Sequence, residues 1–454
     1  MTYWARRPVA LAFAAATVGA ATMLAGCGAA PGTHPAVAAP ARTSAGTSPA
    51  ASPGVWGTAQ EVPGTAGLNQ GGGADIDSVS CASAGNCSAG GVYVDGSGIH
   101  QAFVVSEVNG SWQQAEEVPG SAALNQGGGS AAIFSVSCAS AGNCSAGGDY
   151  GYGAGVSQAM VVSEVNGTWQ QAEEVPGTAP LTLGGGSAAI LSVSCASAGN
   201  CSAGGDYAGD GSGGAFVVSE VHGTWQQEEE VPSIATLGPG GGASIQSVSC
   251  GSAGNCSAGG YYTVSLHNQQ AFLVSQVGGT WQQPEEVPGT ATLDQGGEGS
   301  IDSVSCASAG ACSAGGNYTD GSGHQQAFVV SEVSGSWQQA IEVPGTATLN
   351  QGNGPGAGID SVSCASVGNC GAGGYYTDSA GHRQAFVVGE VSGDWQQAEE
   401  VPGTATLNQG GKRGHLLGVV RHCGQLQCGR RLHRRVRPPA GVRGRRGQRQ
   451  LAAG

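Results

Sequence analysis

Val79-Ser80-Cys81-Ala82-Ser83-Ala84-Gly85-Asn86-Cys87-Ser88-Ala89-Gly90-Gly91 is written, with small changes, six times along this chain of 454 residues. The cysteines keep Cys-x5-Cys spacing in every copy, and the copies recur at a period of about 56 residues, the mark of a repeat architecture. After each pair come a turn rich in Tyr, Asp and Gly, a run of the Ala-Phe-Val-Val type (102–105, 215–218, 327–330, 385–388), and a tryptophan segment ending in Glu-Val-Pro (112–119 in the first unit, 169–176 in the second). An extra tryptophan segment, Trp56 to Pro63, precedes the first unit.

Four strand-like segments separated by turn signals make up each unit. In the first they run from Ile76 to Cys81, Cys87 to Val94, Gln101 to Asn109 and Ser111 to Val118. Turns fall at Ala82–Asn86, at Asp95-Gly96-Ser97-Gly98 and at Asn109-Gly110, the last a two-residue hairpin signal. No segment shows a helical period, so the expected fold is all-β. The third segment decides the packing: Ala102 and Val104 point to one face, Phe103 and Val105 to the other, and both faces are apolar. A sheet of this size cannot cover both faces by itself, so neighbouring units must stack on it. Four-stranded sheets stacked face to face are β-propeller blades, and an open array of small sheets is the alternative. The Trp56 segment is expected to complete a blade at ring closure, since a closed ring leaves no free edge. Trp112 and its equivalents are expected between blades, the alternative being that they stack on a ligand.

The twelve repeated cysteines are expected to pair within units as Cys81–Cys87, Cys138–Cys144, Cys195–Cys201, Cys250–Cys256, Cys306–Cys312 and Cys364–Cys370, the economical arrangement in an exported chain. Zinc would need closer cysteine spacing and regularly placed histidines beside the pair, which the unit does not offer.

The ends differ from the body. Arg6-Arg7, an apolar stretch from Val9 to Ala25 and the sequence Leu24-Ala25-Gly26-Cys27 have the order of an export signal and closely resemble the lipobox of bacterial lipoproteins. That resemblance implies cleavage before Cys27 and acylation there, leaving the protein lipid-anchored on the outer face of the cell membrane. Residues 1–27 are read as signal peptide and lipobox, 28–54 as an Ala/Pro/Ser/Thr-rich tether, 55–411 as the repeat domain and 412–454 as a basic tail. The tail holds the only lysine and all but four of the arginines, with no acidic residue. Read as codons displaced by one base, it recovers the repeat: Gln425-Leu426-Gln427 as CAA-CTG-CAG lies across Gly-Asn-Cys-Ser in the other frame. The tail is therefore expected to be a frameshifted seventh unit, disordered as written, and not a nucleic-acid-binding arm.

Without the ends, residues 43–411 hold all 31 acidic residues and one basic residue, Arg383. Such a surface excludes nucleic acid as a partner. The hairpin before each tryptophan is partly similar to the Asp-box of sialidase-like propellers: Ser163-Glu164-Val165-Asn166-Gly167-Thr168-Trp169 keeps the serine, glycine, threonine and tryptophan, lacks the aspartate and is one residue short. The resemblance implies a blade hairpin. Sialidase activity is not carried over with it, because that family grips its substrate through several arginines.

Adjacent carboxylates such as Glu116-Glu117 face opposite sides of a strand and do not make an acid/base pair. His100, His324 and His382 follow a glycine-rich turn and read as exposed turn residues. The turns Asp95–Gly98, Asp210–Gly213 and Asp320–Gly323 lack the dense oxygen ligands of a calcium loop. No unit is expected to break the pattern and create a unique polar centre, so no catalytic residue, metal or cofactor is assigned. The expected function is that of a monomeric, non-catalytic binding or scaffold module for a cell-surface polysaccharide or protein. Its alternatives are an extracellular hydrolase or lyase acting on a polymer, and a passive stalk.

Overall fold

A computed structural model describes residues 58–408, apart from 126–128, 152–155, 210–211, 233, 239–240, 266–267, 353 and 355. Cys27, Trp56 and the basic tail lie outside the described residues. By its contacts the chain divides between Ala59 and Gln60, and the second part contains the repeat body.

Each unit is an antiparallel meander. In the first, β1 (Ala74–Ser83), β2 (Asn86–Val94), β3 (His100–Val108) and β4 (Ser111–Trp112) lie side by side in chain order. The alternation and the turns explain it: Asn109 and Gly110 both have positive φ, 50° and 81°, as the two-residue turn between β3 and β4 requires. The tryptophan segment is not one strand. It leaves the sheet after Trp112 and returns as β5 (Glu116–Glu117), again on β3. One further element escaped the sequence reading: a single helical turn before each first strand, such as α1 (Thr65–Leu68), too short to show a period. The remaining sheets repeat this order, their first strands being Ala131–Ser140, Ser187–Ser197, Ala243–Ser252, Ser300–Ser308 and Gly358–Ser366.

The sheets stack as propeller-type blades, and the repeated residues show why. Contact between consecutive units is closest along their first strands and falls off through the second and third. Ala102, Val104 and Val118 of the first unit enter one core with Ile133, Val136, Met160 and Trp169 of the second, while Phe103 and Val105 face a cluster completed by Val62 and Leu68. Ile133 fills the space above Gly90, where a Cβ would come within 2.6 Å of its Cγ2. The same isoleucine-over-glycine contact joins Ile190 to Gly147, Ile245 to Gly204, Ile301 to Gly259 and Ile359 to Gly315. No comparable packing joins the last unit to the first among the described residues. Pro63, at the end of the Trp56 segment, accepts a hydrogen bond from Ala115 N at 2.7 Å, as Pro119 does from Ala172, so this part of the segment lies on the first blade.

Polar contacts run the same way at each junction. The Ser-Val-Ser-Cys motif aims two hydroxyls at the next unit: Val136 N donates to Ser78 Oγ at 2.9 Å and Cys138 N to Ser80 Oγ at 3.0 Å, and equivalent pairs occur at the four later junctions. Farther out, Ser88 and Ser106 donate to the Glu164 carboxylate at 2.9 and 2.7 Å, and Trp169 Nε1 donates to Ser106 Oγ at 3.1 Å. Glu220 and Glu390 occupy the same buried position, and Gln276 replaces the acid in the fourth unit. Trp169, Trp225, Trp281 and Trp337 are buried between blades as expected, whereas Trp112, in the first unit, is 37% exposed.

Cys81 and Cys87 face each other across β1 and β2, and all six cysteine pairs are bonded within their own units. Six disulfides are what an oxidising compartment outside the cytoplasm preserves. No helix of the described residues is long and apolar enough to cross a membrane. Each disulfide closes a short loop, so replacing Cys195 and Cys201 together by serine is expected to cost about 2 kcal/mol in denaturant unfolding. Non-reducing peptide mapping should recover the six local links; a free thiol or a link between units would contradict the pairing.

Candidate functional site

The two ends of each blade differ in kind. At one end lie the disulfide, the 82–86 turn and the 109–110 hairpin, nearly identical in every unit. Grooves recur here between units, at the second–third, third–fourth and fifth–sixth junctions. Their floors contain Glu220, Gln276 and Glu390, whose polar atoms the stacking contacts already engage. Stacking therefore accounts for these three groups, while Glu332 Oε2 in the fifth–sixth groove is buried without a hydrogen-bond partner. At the opposite end the columns of the repeat diverge. The position after the Gly-Gly of the second strand is Val92, Asp149, Asp206, Tyr261, Asn317 or Tyr375, and the position two before the Ala-Phe run is His100, Ser157, Gly213, Gln269, Gln325 or Arg383.

Departure from the pattern is strongest in the third unit. Five units place a glutamine before the Ala-Phe or Ala-Met pair, and the third has Gly214. The missing side chain makes room for an aromatic ring: a Cβ on Gly214 would lie 2.8 Å from Tyr207 Cε1. Tyr207 is consequently partly exposed, while Tyr93, Tyr150, Tyr262, Tyr318 and Tyr376 in the same column are buried. The Tyr207 hydroxyl is held by Glu230 Oε2 at 2.7 Å.

What opens is a cleft of about 720 Å³ between the third and fourth units. Its walls are largely bare backbone, from Gly184–Gly186, Gly213-Gly214 and Gly241-Gly242, and its side chains include Asp206, Tyr207, Tyr261, Thr263 and Gln269. Burial raises the Asp206 carboxyl above its ordinary value, an effect that a hydrogen bond from Ser244 opposes. Burial also raises the Tyr261 hydroxyl, assisted by the Asp206 charge, so Tyr261 remains a neutral donor over the working pH range. Tyr261, one carboxylate, an amide and exposed peptide groups thus line one concavity, with Tyr207 at its third-unit wall, a few convergent polar groups of the kind that fix a ligand's orientation. The expectation that no unit breaks the pattern is corrected here: loss of a glutamine is a unique feature that local sequence does not advertise. Aligning the six units column by column brings out Gly214.

The other residues singled out in the sequence have structural settings. Asp95 Oδ1 accepts from Ser97 N and Ile99 N, and Asp320 and Asp378 close their turns in the same way, which holds their carboxyls below the ordinary range. These acids cap turns, and no group of three or more potential metal-ligating side chains occurs among the described residues. Residues 210–211 lie outside the described residues. His100 and His324 are exposed and His382 is partly so; His324 and His382 lie 4.0 and 3.6 Å from Asp320 and Asp378. Glu116 is exposed, and Glu117 accepts the hydroxyl of Tyr93 at 2.8 Å.

No protein-family model matches the chain, and no curated protein does. Among solved structures it is weakly similar to sialidase-like and fucose-lectin propellers. A Hadza microbial sialidase matches with a TM-score of 0.37 and 10% identity over 66% of each chain. Trypanosoma rangeli sialidase with the inhibitor DANA gives 0.36 and 9% over 74% of this chain and 56% of its own. The fucose-specific lectin of Aleuria aurantia gives 0.33 and 12% over 73% and 96%.

Proposed function

We propose that the protein is a non-catalytic glycan-binding module, held at the cell surface through Cys27, that takes sugar rings into the cleft between its third and fourth units. The observation that carries this reading is the replacement of a repeated glutamine by Gly214, which leaves Tyr207 partly exposed at a cleft that Asp206 and Tyr261 also line. Aromatic rings offer flat apolar faces to the C–H side of a sugar, while a carboxylate, an amide and peptide groups hydrogen-bond its hydroxyls. Binding is favoured over hydrolysis because Asp206 is the only carboxylate lining the cleft among the described residues, and glycoside hydrolysis ordinarily needs two.

Tyr261→Ala is expected to weaken binding of the best ligand from a glycan array by at least about tenfold, or ~1.4 kcal/mol. Its melting temperature should stay near that of the parent, because the ring is only partly buried. Titration calorimetry on Tyr207→Ala and Tyr261→Ala tests the reading; unchanged affinity in both would remove the cleft from consideration, and release of reducing ends from the bound glycan would make the protein an enzyme.

A further inference from the structure

The junction of the fifth and sixth units, at the same end as the cleft, carries a chain of side chains found at no other junction. Asp302 sits at a bulge in the fifth unit's first strand and accepts from Ser300 Oγ at 3.0 Å and Asn317 Nδ2 at 2.9 Å. Asn317 Oδ1 accepts from Gln325 Nε2 at 2.9 Å, and Gln325 Oε1 accepts from the hydroxyl of Tyr375, in the next unit, at 2.9 Å. The Arg383 guanidinium lies 3.2 Å from the centre of the Tyr375 ring. Gly358 admits that ring, since a Cβ there would come within 3.1 Å of it.

Stacking explains none of these choices. Other junctions hold together with Val92, Asp149, Asp206 or Tyr261 where Asn317 stands, and with His100, Ser157 or Gly213 where Gln325 stands, the fourth unit alone repeating the glutamine as Gln269. Arg383 is the one basic residue among 31 acids between residues 43 and 411. In the repeat body, the single arginine, two amides, the tyrosine Tyr375 and a bulge carboxylate meet at one place.

We propose that this junction is a second binding site, for an uncharged polyhydroxylated group, so that the ligand is a polymer engaging both this junction and the cleft. The proposal rests on the glycan-binding reading above. The chemistry selects the class of ligand. Asp302 and Asp360, the latter at the matching bulge of the sixth unit and close enough for its charge to act on Asp302 and Tyr375, disfavour an anion, and the guanidinium of Arg383 disfavours a cation. A neutral pair of neighbouring hydroxyls suits both, donating to a carboxylate while accepting from the guanidinium or an amide. Burial supports this by pushing the Asp302 carboxyl up to about 6, so that at mildly acidic pH it can also donate. Two sites on one face of one chain gain affinity for a polymer by effective concentration, which a short oligosaccharide held at one site does not share.

The test uses the full chain with dextran, laminarin and mannan and their oligosaccharides graded by length. Arg383→Gln and Gln325→Ala are expected to lose at least tenfold in affinity for the polymer that binds best, while binding of its shortest oligosaccharide at the cleft is unchanged. Tyr261→Ala should remove that short-oligosaccharide binding and leave residual polymer binding. Polymer affinity unchanged in both Arg383→Gln and Gln325→Ala would overturn the second site and leave the cleft standing, as would a lower melting temperature with no change in affinity. Loss of polymer binding in Arg383→Gln with no effect of Tyr261→Ala on any length would overturn two-point binding and the cleft together. A parent chain that binds none of the three neutral polymers would refute the ligand class.

Discussion

Replacing Trp169 by alanine is expected to destabilise the protein by ~3–5 kcal/mol, the range for removing a buried tryptophan from a packed core. The ring is 6% exposed, lies between the first and second blades, and donates to Ser106 Oγ, which in turn donates to Glu164. The substitution opens a cavity and also loosens a hydrogen-bonded carboxylate. Trp112→Ala provides the control: the same residue of the unit, 37% exposed, should cost less than about 1 kcal/mol. Denaturant unfolding of the two variants separates the cases. A Trp169→Ala protein of undiminished stability that had lost its ligand would move the tryptophans from core to binding surface and displace the cleft as the site.

Stability should fall as pH rises through roughly 4 to 6, the reverse of the usual acid-denaturation pattern. Burial pushes the Asp149 and Asp302 carboxyls up to about 6 and raises those of Asp206, Glu220 and Glu332 as well. The ordinary aspartate value is about 3.9, so between that and 6 the folded chain binds more protons than the unfolded chain, and stability drops as pH increases. Mutual repulsion among the acids of the body acts in the same direction. The turn acids Asp95, Asp320 and Asp378 act oppositely, their carboxyls being held low. They are only partly buried, however, and solvent screens their contribution. Asp149→Asn should therefore stabilise the protein at pH 8 by on the order of 2 kcal/mol and flatten its melting curve between pH 4 and 6. A melting temperature that rises steadily from pH 4.5 to 8 would contradict these assignments.

The period-two alternation around Ala102 to Val105 was sufficient to predict sheets covered on both faces, and fixed cysteine spacing on facing strands anticipated local disulfides. These features are legible because they lie within one unit and recur in every copy. The helical turn at Thr65–Leu68 and the break between Trp112 and Glu116 were not, since four residues and a three-residue excursion are shorter than any period can reveal. The cleft and the Arg383 cluster escaped for another reason. Each depends on single departures in neighbouring units, Gly214 with Tyr261 and Gln325 with Tyr375, about fifty residues apart, which only stacking brings together.

The polar contacts between blades are directional: each unit presents hydroxyls at its trailing face and receives the next unit's amides and carboxylate there. A copy inserted in tandem between any two units meets on both sides the partners it already had, so a duplication or deletion in the gene changes the length of the protein without creating an ill-fitting joint. The sixth unit interrupts this interchangeability, with Gly371 and Gly389 where the first unit has Ser88 and Ser106. Copies of the first five units can spread through the array, whereas a copy of the sixth placed inside it would face the next carboxylate with two missing hydroxyls. Unequal recombination in this gene is thus expected to duplicate the first five units more readily than the sixth.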